Sequence, residues 1–165
     1  MNIYFIERKK QISALLGILK HKENNRILII SHNINEEKIL KQRLAMNNLE
    51  SKIIRKKNLS RFVSNPMKEK REKEMLIIIS QLWKELANNL IFDHIIALDV
   101  PSKNVNENLK FLQEFNQIFS KKGFVLIPEN KIKMFTQNTL NYNFISSQDI
   151  DFVEDRSEEL KFVFD

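Results

Sequence analysis

The chain has 165 residues, 42% hydrophobic and 29% charged, which is enough length and apolar content to bury one sizeable core. It has no cysteine, so disulfides, thiolate zinc sites and cysteine nucleophiles are excluded. Its formal net charge of +6 invites a nucleic-acid reading, and no apolar run approaches the ~20 residues needed to span a bilayer.

Charge placement says more than the total. Lys52 to Lys73 holds nine basic residues (Lys52, Arg55, Lys56, Lys57, Arg61, Lys68, Lys70, Arg71, Lys73) against Glu69 and Glu72. That segment alone carries +7, more than the whole chain. Asp149 to Asp165 carries −5, with seven acids against Arg156 and Lys161. The two segments either face each other or face different partners. The start, MNIYFIERKK, places charge after its apolar residues, the reverse of a signal peptide. An intracellular location, cytoplasm or nucleus, is therefore expected, with no secretion and no membrane partner.

In chain order, Asn2 to Glu7 reads as a short entry strand. An amphipathic helix follows, roughly Lys9 to His21, with Ile12, Leu15, Leu16 and Leu19 on one face. Lys22 to Asn25 is a polar turn, and Arg26 to Ser31 (RILIIS) is a buried strand. Asn33 with Glu36 three residues on has the spacing of a capping box. The helix it opens runs to Met46, presents Leu40 and Leu44 with Ile39 beside them, and closes at Asn47-Asn48. Leu49 to Arg55 suits another short strand.

From Lys56 to Lys73 no long apolar face exists and Pro66 interrupts any helix, so a connecting loop is expected. Met75 to Ile79 is an unbroken apolar run, as in a strand covered on both faces at the centre of a parallel sheet. Gln81 to Ala87 is a short helix using Leu82, Trp83 and Leu86, and Asn88-Asn89 ends it. Ile95 to Leu98 is the next strand, stopped at Asp99-Val-Pro101 because proline cannot continue a central strand. Asn104 and Glu107 repeat the cap-and-glutamate spacing before a helix from Val105 to Phe119. Val105, Leu109, Leu112 and Phe119 form one stripe on it and Phe111, Phe115 and Ile118 another, so burial on two sides is expected. Lys122 to Ile127 is a last buried strand, ended by Pro128. A short helix between Asn130 and Leu140 and an apolar, acidic end with Leu160, Phe162, Val163 and Phe164 complete the chain. No internal repeat is visible. Alternating helices and wholly apolar strands predict an α/β fold with a parallel sheet of five to six strands and helices on both faces.

This order of parts resembles the second RecA-like domain, the helicase C-terminal domain, of DEAD-box RNA helicases. Four pieces carry the resemblance. RILIISHN with its following helix is similar to the family's fourth motif, and LIIIS-QLWKELANNLIFDHIIALDVPSK is similar to the fifth motif and the strand beyond it. The helix from Asn104 stands where the sixth motif belongs, and Lys122-Gly123 to Ile127 matches the glycine-initiated strand after it. The resemblance spans Asn2 to Ile127. It implies a single RecA-like domain over residues 1–128, followed by an extension, residues 129–165, with an acidic tail.

The departures bear on chemistry. Ser80 stands for the family's threonine and Gln81 for its aspartate. Glu85 stands for an arginine, Leu86 for a glycine and Asn88 for a second aspartate. The sixth motif's arginines sense the nucleotide's terminal phosphate, but the matching stretch Phe111 to Ile118 has none. An arginine finger is worth about 10³–10⁵ in rate, which apolar residues and a glutamate cannot supply. The histidine-glycine and glutamine-to-arginine features expected near Lys56 to Phe62 are missing. A phosphate-cradling loop is missing as well, since Gly17 and Gly123 are the only glycines and neither adjoins a Lys-Ser/Thr pair. The expectation is a pseudoenzyme without catalytic residues or cofactor.

His21, His32 and His94 lack metal-ligand spacing, so no metal site is expected. Asp93-His94 reads as the polar start of a strand, Asp99 as the shaper of a strand end, and Trp83 as a core residue. Ser80 has no evident base beside it. The serious candidate is the basic segment, whose counterpart in the resembled domain faces RNA. Its plainer alternative is a solvated charged loop. RNA or a ribonucleoprotein is the expected partner, with the tail available to a protein and Phe162 to Phe164 closing the core. A protein-binding scaffold subunit, or half of a helicase completed by another chain, are the alternatives.

Overall fold

The computed structural model describes residues 1–20, 22, 26–32, 35–57, 74–79, 82–84, 92–119, 122–136, 144–145 and 150–157. Strands β1 (Asn2–Ile6), β2 (Arg26–Ser31), β3 (Lys52–Ile54), β4 (Glu74–Ile79), β5 (His94–Leu98), β6 (Gly123–Pro128) and β7 (Phe144–Ile145) form one sheet. Their order is β3-β4-β2-β5-β6-β1-β7, with every pair parallel. Helices α1 (Gln11–Leu19), α2 (Glu36–Met46), α3 (Val105–Phe119) and the short α4 (Ile132–Thr136) pack on it. This is the expected α/β architecture, consistent with a RecA-like fold, and the two-residue β7 widens the sheet by one strand beyond the range expected.

The isoleucine runs are what parallel pairing requires. Successive side chains point to opposite faces of a strand, so a strand covered on both sides must be apolar throughout. Leu28 and Ile30 of β2, Leu76 and Ile78 of β4, and Ile95 and Ala97 of β5 enter one core. Ile27, Ile29, Met75, Ile77 and Ile96 enter the other. The first core is completed by Phe111, Leu112, Phe115 and Phe119 of α3, with Trp83 and Phe135. Ile12, Leu15, Leu16 and Leu19 of α1 and Leu40 and Leu44 of α2 complete the second. Among the described residues, connecting elements that move one way along the sheet (α1, α2) lie on one face, and those that move the other way (α3, α4) lie on the opposite face, as right-handed crossovers demand.

Helix ends agree with expectation in two places and depart from it in one. Asn104 caps α3, its Oδ1 accepting from the backbone N–H groups of Asn106 (2.9 Å) and Glu107 (3.3 Å). Asn48, at φ 62°, closes α2 as a left-handed residue; Leu49 N–H donates to the Leu44 carbonyl (2.9 Å) and Asn48 N–H to that of Ala45 (3.0 Å). The capping box expected at Asn33 and Glu36 does not form. Glu36 is the first residue of α2 and Asn35 flanks it without a side-chain cap bond; Asn33 lies outside the described residues. A glutamate in that first position is too near the helix start to reach back as the third helical residue does.

Two apolar residues beside the buried faces are open. Ile39 on α2 and Ile118 on α3 are exposed, and the described core contacts of α3 are on one side, through Phe111, Leu112, Phe115 and Phe119. Gly123 begins β6 where a methyl group would collide with the Phe115 ring and the Phe119 carbonyl, so helix and strand approach too closely there for any side chain.

The chain beyond Pro128 joins the same body. Phe135 is fully buried in the first core, β7 pairs with β1, and Ile150 is buried in the second core beneath a segment, residues 150–157, that runs over α1 and α2. Phe162 to Phe164 lie outside the described residues. Among the described residues, no helix is long and apolar enough to cross a membrane.

Candidate functional site

Because every strand is parallel, all carboxyl ends lie on one edge of the sheet. The basic segment opens β3 at Lys52 and reaches that edge after Ile54. Lys52 is exposed on β3, the outermost strand on its side, and Arg55, Lys56 and Lys57 follow directly from it. Lys56 and Lys57 are exposed, and among the described residues no carboxylate pairs with Lys52, Lys56 or Lys57. Arg55 is half-buried and faces Glu37 of α2 at 3.8 Å. Four cations within six residues thus form a positive corner that Glu37 neutralises only in part. Arg61, Lys68, Lys70, Arg71 and Lys73, and the motif positions Ser80, Gln81, Glu85 and Asn88, lie outside the described residues.

Glu37 is the residue that the sequence did not reveal. Its side chain is wholly buried and neither carboxylate oxygen has a hydrogen bond. Burial pushes its pKa up and the Arg55 charge opposes that. A raised acid pKa means the native state holds the proton longer than the unfolded chain. The contribution is therefore full below the ordinary glutamate range and is lost as pH rises through the native value. Glu37→Gln, which keeps the shape without the charge, should raise stability by about 1 kcal/mol at pH 7 and flatten this loss. Arg55→Ala should lower stability by about 1 kcal/mol by leaving the carboxylate uncompensated. Urea denaturation of both variants between pH 4 and 8 measures the pair.

A second cluster sits where the connections of two adjacent strands diverge. The connection from β2 leads through α2 on one face, and that from β5 leads through α3 on the other. In open α/β sheets such a divergence is where ligands settle. His32 follows β2 there and Asp99 follows β5. Asp99 takes φ 77°, which aspartate tolerates better than most residues. Its N–H donates to the Leu126 carbonyl (2.7 Å), and its carboxylate accepts from Val100 N–H (2.6 Å) and from Lys131 Nζ at 2.8 and 3.0 Å. Arg8 stands 3.9 Å away. Asp99 thus ties the ends of β5 and β6 to the turn after β6, the strand-end role expected of it.

His32 packs edge-on against Phe111 with ring centroids 4.9 Å apart, and both of its ring nitrogens are buried. Burial lowers its pKa to about 4, the Asp99 charge opposing and the Lys131 charge adding to the effect, so the ring is neutral at pH 7. His94 opens β5 with its pKa lowered first by burial and then by the charge of Lys22. Asp93 caps the neighbouring strand start, accepting from Arg26 N–H at 2.8 Å. Among the described residues no group of three His, Cys, Asp or Glu side chains is placed to hold a metal ion.

The stretch aligned with the sixth motif has a structural assignment. Phe111, Leu112 and Phe115 point into the core, while Glu114 pairs with Lys84. Trp83 is buried against Phe111, Phe115 and Phe119 at centroid distances of 5.8–5.9 Å, the core position expected of it. Comparison of the chain with protein-family models, curated proteins and solved structures gives no match in any of the three.

Proposed function

We propose that this chain is a helicase-type domain without catalytic turnover that binds RNA, or the RNA of a ribonucleoprotein, through its basic corner. The observation that carries the reading is the exposure of Lys52, which opens the outer strand β3, and of Lys56 and Lys57, which follow its carboxyl end beside Arg55 and lead into the rest of the basic segment. Lysines on such an edge suit phosphate oxygens, which give affinity without reading sequence. The absence of turnover rests on residue chemistry. Phosphoryl transfer needs positioned positive charge, and the helix that would carry it presents phenylalanine and leucine to the core.

Fluorescence anisotropy with short single-stranded and duplex RNA tests the proposal. Four phosphate contacts should weaken single-strand binding on the order of 50-fold between 50 and 200 mM salt. Affinity no better than that of a charge-matched control protein, with no salt dependence, would reject RNA contact. RNA-stimulated ATP hydrolysis would reject the absence of turnover.

A further inference from the structure

Residues 150–157 cross the outer side of α1 and α2 as an extended strap held by side chains. Ile150 is buried in the second core and Val153 packs against it. Asp151 pairs with Lys20, the residue that ends α1, at 3.2 Å. Asp155 accepts from Arg43 of α2, from Asn47 Nδ2 at 3.0 Å, and from both the backbone N–H (2.9 Å) and the hydroxyl of Ser157. Arg43 Nε donates to Ser157 Oγ at 2.9 Å, and Arg156 N–H donates to Asn47 Oδ1 at 2.8 Å. Burial opposes ionisation of Asp155, but the Ser157 and Asn47 hydrogen bonds and the Arg43 charge outweigh it and hold the carboxyl below its usual range. Val153 N–H meets the Ser13 carbonyl at 3.2 Å, and at Gly17 the strap's backbone comes so close that a side chain on the helix would strike the Asp151 carbonyl.

The receiving groups belong to α1 and α2 and to Lys20 and Asn47, the residues that end them, and both helices are also anchored to the sheet, through Ile12, Leu15, Leu16, Leu40 and Leu44. The seat therefore has a foundation in the sheet beyond what the strap supplies. It offers a glycine floor, a main-chain acceptor, two cations and one amide, matched to a peptide with two carboxylates four residues apart and a serine two residues further on. We propose that this α1–α2 groove is a receptor for extended acidic peptides of the pattern Asp-x-x-x-Asp-x-Ser, occupied here in cis by the chain's own residues 150–157. A partner presenting that pattern displaces the strap. The tethered segment competes at an effective concentration in the millimolar range, so the closed chain binds such a peptide weakly and an opened chain binds it well.

The test uses a fluorescein-labelled peptide with the sequence of residues 148–158, titrated with the full wild-type chain and with the full chain carrying Asp151→Ala and Asp155→Ala. The double variant is expected to bind at least tenfold more tightly than wild type, and adding Arg43→Ala should abolish binding. Binding no better than that of a scrambled peptide, or unchanged by Arg43→Ala, would overturn the proposal. Concentration-dependent dimers of the wild-type chain that the peptide dissolves would overturn it too, assigning the groove to a second copy's tail. Should circular dichroism find the double variant unfolded, hydrogen exchange at Val153 N–H in the wild-type chain decides. Faster exchange with excess peptide supports displacement, and unchanged exchange contradicts it.

Discussion

Phe115→Ala is expected to remove about 3–5 kcal/mol of stability, more than any substitution at the basic corner or in the strap. Phe115 is fully buried and packs against Phe111, Phe119 and Trp83 with centroid distances of 5.3–5.9 Å. Truncation forfeits the burial of the ring and leaves a cavity that the rigid sheet on one side and the indole on the other cannot collapse into. Domains of this size have about 5–15 kcal/mol in total, so the variant should sit near the edge of folding. Urea denaturation measures the change. A loss below about 1 kcal/mol would mean that α3 does not pack on the sheet through this face.

Gly17→Ala should destabilise, although helix propensity argues the other way. In an exposed helix the change gains about 1 kcal/mol. Here the new methyl group would overlap the Asp151 carbonyl, a main-chain atom that cannot rotate aside. Either α1 shifts on the sheet or the strap lifts, giving up the burial of Ile150 and the Asp155 network. The net loss expected is about 2–3 kcal/mol, with faster exchange at Val153 N–H. A variant that is more stable than wild type, with Val153 still protected, would show that the strap does not lie on Gly17.

How far each part could be read from the sequence follows from the range of its interactions. The isoleucine runs in β2 and β4 announced strands covered on both faces because apolar continuity is a local property. Asn104 announced a helix start because its partners are two and three residues away. Asn33 misled because the same spacing occurs by chance, and the register of α2 is set by Leu40 and Leu44 meeting the core. The strand order was not legible. Nothing in β1 shows that it lies between β6 and β7. The basic corner was visible as composition, but its partial neutralisation was not, since Glu37 looks like any surface glutamate near a helix start. The strap was hidden for the same reason. Asp155 and Arg43 are separated by 112 positions and no local pattern links them, so the acids read only as a charged tail.

The most direct measurement is RNA binding by the wild-type chain beside the Lys52→Ala/Lys56→Ala/Lys57→Ala variant over a series of salt concentrations. The basic-corner account predicts weaker binding by the variant at every salt concentration and a logarithmic salt slope shallower by about 2, at about 0.7 for each lost phosphate contact. Equal affinity and equal slope for the two proteins, with both folded, would contradict it.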